Sequence, residues 1–269
     1  MPLQKGKSNR FLKDSVFIFI IRFFPSLANL LVLLYYSHSL PRPVYGTYQN
    51  FWIQLNFIYP FACMGIHALI LTYSPAFVLN LARSIKQSKV LLYSIWVLLL
   101  AAGFALLQQR SLDVHLLIPF FMLVLFSANI IMESVLIVFR RFRALSLISF
   151  LFAAGYCWIH YAVVQKGFSY QSLFFYLLVL TLLRSIASGV LLVVSLPEHA
   201  DKVHSDGREV AEVRRLWLHL GVYDILQIVF AGIDKFAVSI LLTSSLSAVY
   251  YNGSQNIPFL PLILSAAGS

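Results

Sequence analysis

Charge is scarce in this 269-residue chain: Asp, Glu, Lys and Arg together make up 11% of it, against about 25% in soluble domains. Apolar residues make up 60%, and the mean hydropathy is +0.82. A soluble core of this size cannot hide so much apolar surface, so a soluble enzyme, a disordered tail and a fibrous repeat are excluded, and the composition requires a bilayer. Acids are scarcer than bases, 10 against 20, for a net charge of +10. The bases fall in short gaps between apolar runs, which is the membrane-protein pattern and argues against nucleic acid as a partner. Cysteine is nearly absent. Cys63 and Cys157 lie in apolar runs with no CxxC neighbour, so neither a disulfide framework nor a metal site is expected. His199 and His204 share a loop without a nearby cysteine and read as solvated. HExxH, GxSxG, Walker A and GxGxxG are all missing, so no catalytic residue, cofactor or metal is assigned and the chain is not expected to be an enzyme.

Long apolar runs are what the sequence does have. A helix needs about 20 apolar residues to cross the hydrocarbon core. Such runs lie near 16–37, 48–73, 90–108, 114–139, 145–164, 173–196, 216–242 and 248–264. The expected fold is therefore an all-α polytopic membrane protein with about eight transmembrane helices. The first run is too long for a signal-peptide core and no small-residue cleavage site follows it, so it reads as a retained helix. Basic residues alternate between the gaps. One side collects Lys5, Lys7, Arg10, Lys13, Arg83, Lys86, Lys89, Arg140, Arg141, Arg143, Lys202, Arg208, Arg214 and Arg215. The other collects only Arg42, Arg110 and Lys166. By the positive-inside rule the N-terminus is expected in the cytoplasm.

The longest gap, 197–215, mixes both charge signs and reads as a cytoplasmic linker or short surface helix. It divides a six-helix unit, 1–196, from two further helices, 216–269. A weak repeat supports that join: Val44-Tyr45-Gly46-Thr47-Tyr48-Gln49-Asn50 opens the second span, and Val249-Tyr250-Tyr251-Asn252-Gly253-Ser254-Gln255-Asn256 opens the eighth. Helices seven and eight would then replay helices one and two, as repeats in transporters do. The last run carries Pro258 and Pro261 and reaches almost to Ser269. The expectation is a C-terminally truncated protein whose second unit is incomplete.

Ionisable groups inside a bilayer face cavities or partners, because exposure to hydrocarbon costs about 2.5–3.5 kcal/mol each. Arg22, Ser26 and Asn29 fall on one face of the first helix at helical spacing. Arg22 either snorkels to the interface or offers a guanidinium to a phosphate inside a cavity. Thr181, Arg184, Ser188 and Ser195 form a similar stripe, read either as cavity lining or as helix–helix contact. Glu133 stands four residues from Asn129, with Arg140 one heptad on, which predicts a Glu133–Arg140 pair. Asp224 and Lys235 share nearly one face of the seventh span, and Asp234 points elsewhere. Either acid is a cation or proton site, or a partner for Arg22 or Arg184. Pro25, Pro60, Pro119 and Pro258 lie within spans, as kinks for motion or as static shape. Tyr35, Tyr36, Tyr45 and Tyr48 read as interface anchors.

The opening hairpin, from Arg22 through YGTYQNFWIQLNFIYPFACMGIHALILTYSP, resembles the start of polysaccharide-biosynthesis flippases of the MATE-like multidrug/oligosaccharidyl-lipid/polysaccharide superfamily. Tyr45-Gly46 and Met64-Gly65-Ile66 carry the likeness. So do Gly232-Ile233-Asp234-Lys235-Phe236 and Ala248-Val249-Tyr250-Tyr251. The resemblance implies two helical lobes around a central cavity with alternating access, here a complete first lobe and the start of a second. It implies a polyprenyl-diphosphate-linked oligosaccharide as cargo, flipped from the inner to the outer leaflet of a bacterial cytoplasmic membrane for O-antigen, capsule or exopolysaccharide synthesis. Membrane lipid and other polysaccharide-assembly proteins would be its partners. Arg22, Ser26, Asn29, Arg184 and Lys235 are then the substrate-binding candidates, and Asp224, Asp234 and Glu133 the ion-coupling ones. A cation-coupled drug exporter of the same fold would rely on membrane acids instead. A membrane polysaccharide polymerase or glycosyltransferase would carry a long outer loop, and the short outer gaps count against it.

Overall fold

A computed structural model describes residues 5–109, 112–195 and 207–254, and among them every regular element is a helix. The protein is an all-α polytopic membrane protein. Helix α1 spans Lys5–Ser39, with its apolar part at Ser15–Ser39. Four further crossings match the expected runs closely: α5 (Gln87–Gln109), α6 (Leu117–Val138), α7 (Phe142–Gln165) and α8 (Tyr170–Ser195). Helix α9 runs Gly207–Leu241 and is apolar over Arg215–Leu241. Residues 207–215, expected in the linker, thus continue into the seventh crossing, while 197–206 with His199 and His204 lie outside the described residues. Helix α10 covers Ser244–Ser254. The remainder of the expected eighth span, with Pro258 and Pro261, also lies outside them.

The second expected span departs from its sequence reading. It begins earlier, at Arg42, where Pro41 and Pro43 flank the first turn and cost no intrahelical bond. Helix α2 then runs only to Cys63. Met64 and Gly65 take left-handed backbone angles, φ 46° and 68°, and α3 (Ile66–Thr72) leaves at 58° to α2. The apolar run is continuous, but the helix inside it is broken. The following gap holds another helix, α4 (Pro75–Ser84), which at about 15 Å is too short to cross about 30 Å of hydrocarbon. Val78 and Leu79 are buried while Ala76, Ala82, Arg83 and Ser84 are exposed, the two-faced arrangement of a helix lying along a surface.

Helix α2 is the centre of the bundle. It packs on α5 and α6 on one side and on α9 and α10 on the other, while α1 packs on α7, and α8 joins α6 and α7. Lipid tails supply no hydrophobic drive between helices, so close approach and polar contacts carry the association. Gly46 allows such an approach: a Cβ there would fall 1.8 Å from the Ser244 carbonyl oxygen. Around it the Tyr45 hydroxyl donates to Asn252 Oδ1 at 3.0 Å, Thr47 Oγ1 to Ser244 Oγ at 2.9 Å, and the Tyr251 hydroxyl to Asn50 Oδ1 at 3.0 Å. Helix α9 runs antiparallel to α2, Gly65 meeting Gly221 and Gln54 meeting Ser239, and α10 follows α9 after a two-residue turn, so α2 and α10 run parallel. The described part of the second repeat segment, 249–254, is therefore a neighbour of the first and runs the same way across the bundle.

The tyrosines expected as interface anchors are mostly core. Tyr36, Tyr45 and Tyr48 are buried. Helix α2 starts at Arg42 rather than near 48, which places Tyr48 about two turns inside the helix. The Tyr48 hydroxyl lies 2.8 Å from that of Tyr156 and 3.0 Å from His160 Nε2, and His160 Nδ1 lies 2.7 Å from the Tyr156 carbonyl. The carbonyl can only accept, so Nδ1 carries the proton, Nε2 accepts from Tyr48, and Tyr156 donates to Tyr48. Every member of this buried chain is satisfied, and it ties α2 to α7. Phe51 and Phe174 continue the seam, with ring centroids 4.1 Å apart. The cysteines are free, Cys63 buried and Cys157 half-buried.

Candidate functional site

Helices α1, α2, α6, α7 and α8 on one side and α9 and α10 on the other line a half-open cavity of 540 Å³. Its walls follow from the packing above. Pro25 and Ala28 keep the α1 wall low, and Ser26 and Asn29 project from it. Across the cavity α2 offers Gln49, Trp52 and Asn56. Phe152 and Tyr156 of α7 and Phe126 of α6 add aromatic faces. The two cations are Arg184 of α8 and Lys235 of α9.

Arg184 is not an isolated charge. Its Nη2 donates to Glu133 Oε2 at 2.7 Å, and its guanidinium carbon lies 4.7 Å from the Phe152 ring centroid. Both partners of the ion pair are half-buried, at 15% and 23% side-chain exposure. This corrects the expected Glu133–Arg140 pairing. Helix α6 ends at Val138, and Arg140 takes φ 56° in the turn that follows, so it leaves the face on which a continuing helix would have placed it. The rest of the stripe on α8 does local work: Thr181 Oγ1 donates to the Leu177 carbonyl at 2.7 Å and Ser195 Oγ to that of Leu191 at 2.5 Å. Asn129 turns to α8 as well, its Nδ2 donating to Ser185 Oγ at 2.9 Å.

Lys235 is half-buried, and its ammonium makes no hydrogen bond or ion pair among the described residues. Its carbonyl accepts from the Tyr251 hydroxyl at 3.1 Å, which holds α10 beside it at the cavity wall. Asp234, its neighbour in sequence, is exposed and accepts from the Tyr250 hydroxyl at 2.6 Å. Four substrate-binding candidates thus meet in one cavity: Ser26, Asn29, Arg184 and Lys235. Arg22 does not line it. It lies one turn from Ser26 on α1, exposed, with Ser26 Oγ donating to its carbonyl at 2.9 Å. Of the three acids, Glu133 holds Arg184. Asp224 lies 3.7 Å from His67 Nε2 and so faces neither Arg22 nor Arg184 as its partner.

Several polar residues of the site and its surroundings had no signal in the sequence. Gln49 donates to the Tyr45 hydroxyl at 2.8 Å beside the cavity. Gln54 donates to Ser239 Oγ at 3.1 Å and links α2 to α9. His67 finds Asp224, and His160 finds Tyr48, only through tertiary packing. The one available clue was spacing: Tyr156 and His160 stand four apart in an apolar helix, as do Tyr45 and Gln49.

Among the described residues no group of three or more His, Cys, Asp or Glu is placed to hold a metal. Fold and cavity together define a multi-pass helical membrane protein with a half-open, largely apolar cavity in its bundle that carries two cations. Comparison with known proteins finds no matching family model, no matching curated protein and no matching solved structure.

Proposed function

We propose that the chain is a flippase for polyprenyl-diphosphate-linked oligosaccharides in cell-surface polysaccharide synthesis, working by alternating access in the bacterial cytoplasmic membrane with its N-terminus inside. The supporting observation is the cavity that places Arg184 and Lys235 opposite a wall of amides, hydroxyls and aromatic rings. A diphosphate is costly to carry through hydrocarbon, and cations in a wet chamber lower that cost. Arg184 is already neutralised by Glu133, so Lys235 is the stronger attractor for an incoming anion. Asn29, Gln49 and Asn56 present donors and acceptors of the kind sugar hydroxyls match, and Trp52 and Tyr156 present flat apolar faces. The prenyl tail would stay in lipid.

The test is binding of a short-chain polyprenyl diphosphate to the purified chain in nanodiscs. Lys235→Ala is expected to weaken binding about tenfold, which is about 1.4 kcal/mol, and Arg42→Ala, on an exposed helix end, to leave it unchanged. Equal binding by both variants, or none by the unaltered protein, would overturn the assignment. A cation-coupled exporter is the second reading, and Asp224, an acid held inside the bundle beside a histidine, favours it. That reading expects organic cations, not diphosphates, to compete for the chamber.

A further inference from the structure

The broken second span meets α9 in a tight seam. Gly65 and Gly221 lie back to back: a Cβ on Gly65 would fall 2.5 Å from Gly221 Cα, and one on Gly221 would fall 2.8 Å from the Met64 carbonyl oxygen. Trp217 Nε1 donates to that same oxygen at 2.8 Å, one turn nearer the start of α9. One turn the other way, His67 Nε2 stands 3.7 Å from Asp224 Oδ1. Both side chains are half-buried, at 21% and 17% exposure. The far atoms, His67 Nδ1 and Asp224 Oδ2, are buried with no hydrogen-bond partner among the described residues. The other titratable groups within reach of Asp224 are Tyr59 and Cys63 of α2. Helix α6 adds Ser127, whose carbonyl faces Cys63 Sγ at 3.9 Å.

An imidazole and a carboxylate this close can share one proton. Imidazolium with carboxylate, and imidazole with carboxylic acid, are both neutral overall. Removing the proton leaves a lone carboxylate, which a low-dielectric surrounding penalises. The glycine contact leaves no slack, so parting the seam must separate the pair and wet it. Separated groups bind the shared proton less tightly. By linkage, the proton then stabilises the closed seam.

We propose that His67 and Asp224 form a proton-binding site that keeps the seam between the α2–α3 elbow and α9 closed, and that loss of the proton lets the seam part. The sign follows: closure is favoured at low pH and is lost as pH rises. Its use in transport rests on the alternating-access reading above, but its test needs no cargo. Amide hydrogen exchange of the full chain in nanodiscs, corrected for the intrinsic effect of pH, is followed over 59–73 and 215–226 from about pH 6 to about pH 9. The unaltered protein is expected to lose about tenfold protection in both segments across that range. Asp224→Asn and His67→Gln are expected to show no such response, while Asp113→Asn, in an exposed loop, behaves as the unaltered protein does. The same response in all variants, or none in the unaltered protein, overturns the site. A variant that unfolds loses protection in α7 and α8 too, and the titration of the unaltered protein then decides. Failure of diphosphate binding would leave this readout untouched.

Discussion

Arg184 shows how far a single residue can be read before its neighbours are known. A cation inside a long apolar run stands out, because its cost demands a partner or a cavity, and the structure gives it both. Its partner was not legible. Glu133 lies 51 residues away in sequence, and Arg140 offered a nearer base at helical spacing. Only the backbone turn at Arg140 removes that rival. The pair makes a residue-scale prediction. Glu133→Gln leaves the guanidinium without its carboxylate and should cost about 2 kcal/mol, read as a lower melting temperature in detergent. Arg184→Gln combined with Glu133→Gln should recover part of that loss, and a double-mutant cycle isolates the coupling. Purely additive losses would mean that the two side chains do not depend on each other. The His160 chain was invisible for a related reason: Tyr48 and Tyr156 belong to helices whose contact no local pattern encodes.

Elements were more legible than contacts. In a bilayer every backbone donor must be satisfied within the segment, so an apolar run of sufficient length has little choice but helix. That is why α5 to α8 fall within a few residues of their expected bounds. The same argument hides the break at Met64–Gly65, since one glycine among apolar residues changes composition very little. The start of α2 was missed because Arg42 and Pro43 dilute the run, although they suit a first turn. Glycines carry the prediction here. Gly46→Ala drives a methyl group into the Ser244 backbone and should lower the melting temperature strongly by separating α2 from α10. Gly103→Ala and Gly189→Ala have nothing within 4 Å of the new methyl. They should leave stability unchanged or raise it by up to about 1 kcal/mol through helix propensity. Equal effects at all three positions would show that the α2–α10 contact is not close in the membrane.

At the scale of the molecule, charge asymmetry makes the claim about sidedness. In a chain whose native cysteines are replaced, Ser169→Cys should react with an impermeant maleimide in intact cells, and Ser88→Cys only after permeabilisation. The reverse result would invert the orientation and with it the direction of the proposed flipping. The bundle itself was legible as a series of apolar crossings and a polar stripe on α1, although among the described residues six helices are long and apolar enough to cross, or seven if the bent α2–α3 pair is one span, against about eight expected. The placement of α2 between two groups of helices was not, because it depends on Gly46 and Gly65 finding backbones some 200 and some 150 residues away. Those two glycines stand roughly 28 Å apart along the chain at helical rise. A rod carried on a bearing near each end cannot swing free at both. Slackening one joint turns it about the other, so such a molecule would uncover its chamber to one face of the membrane at a time, and a substitution that welded either joint would leave it locked toward a single side.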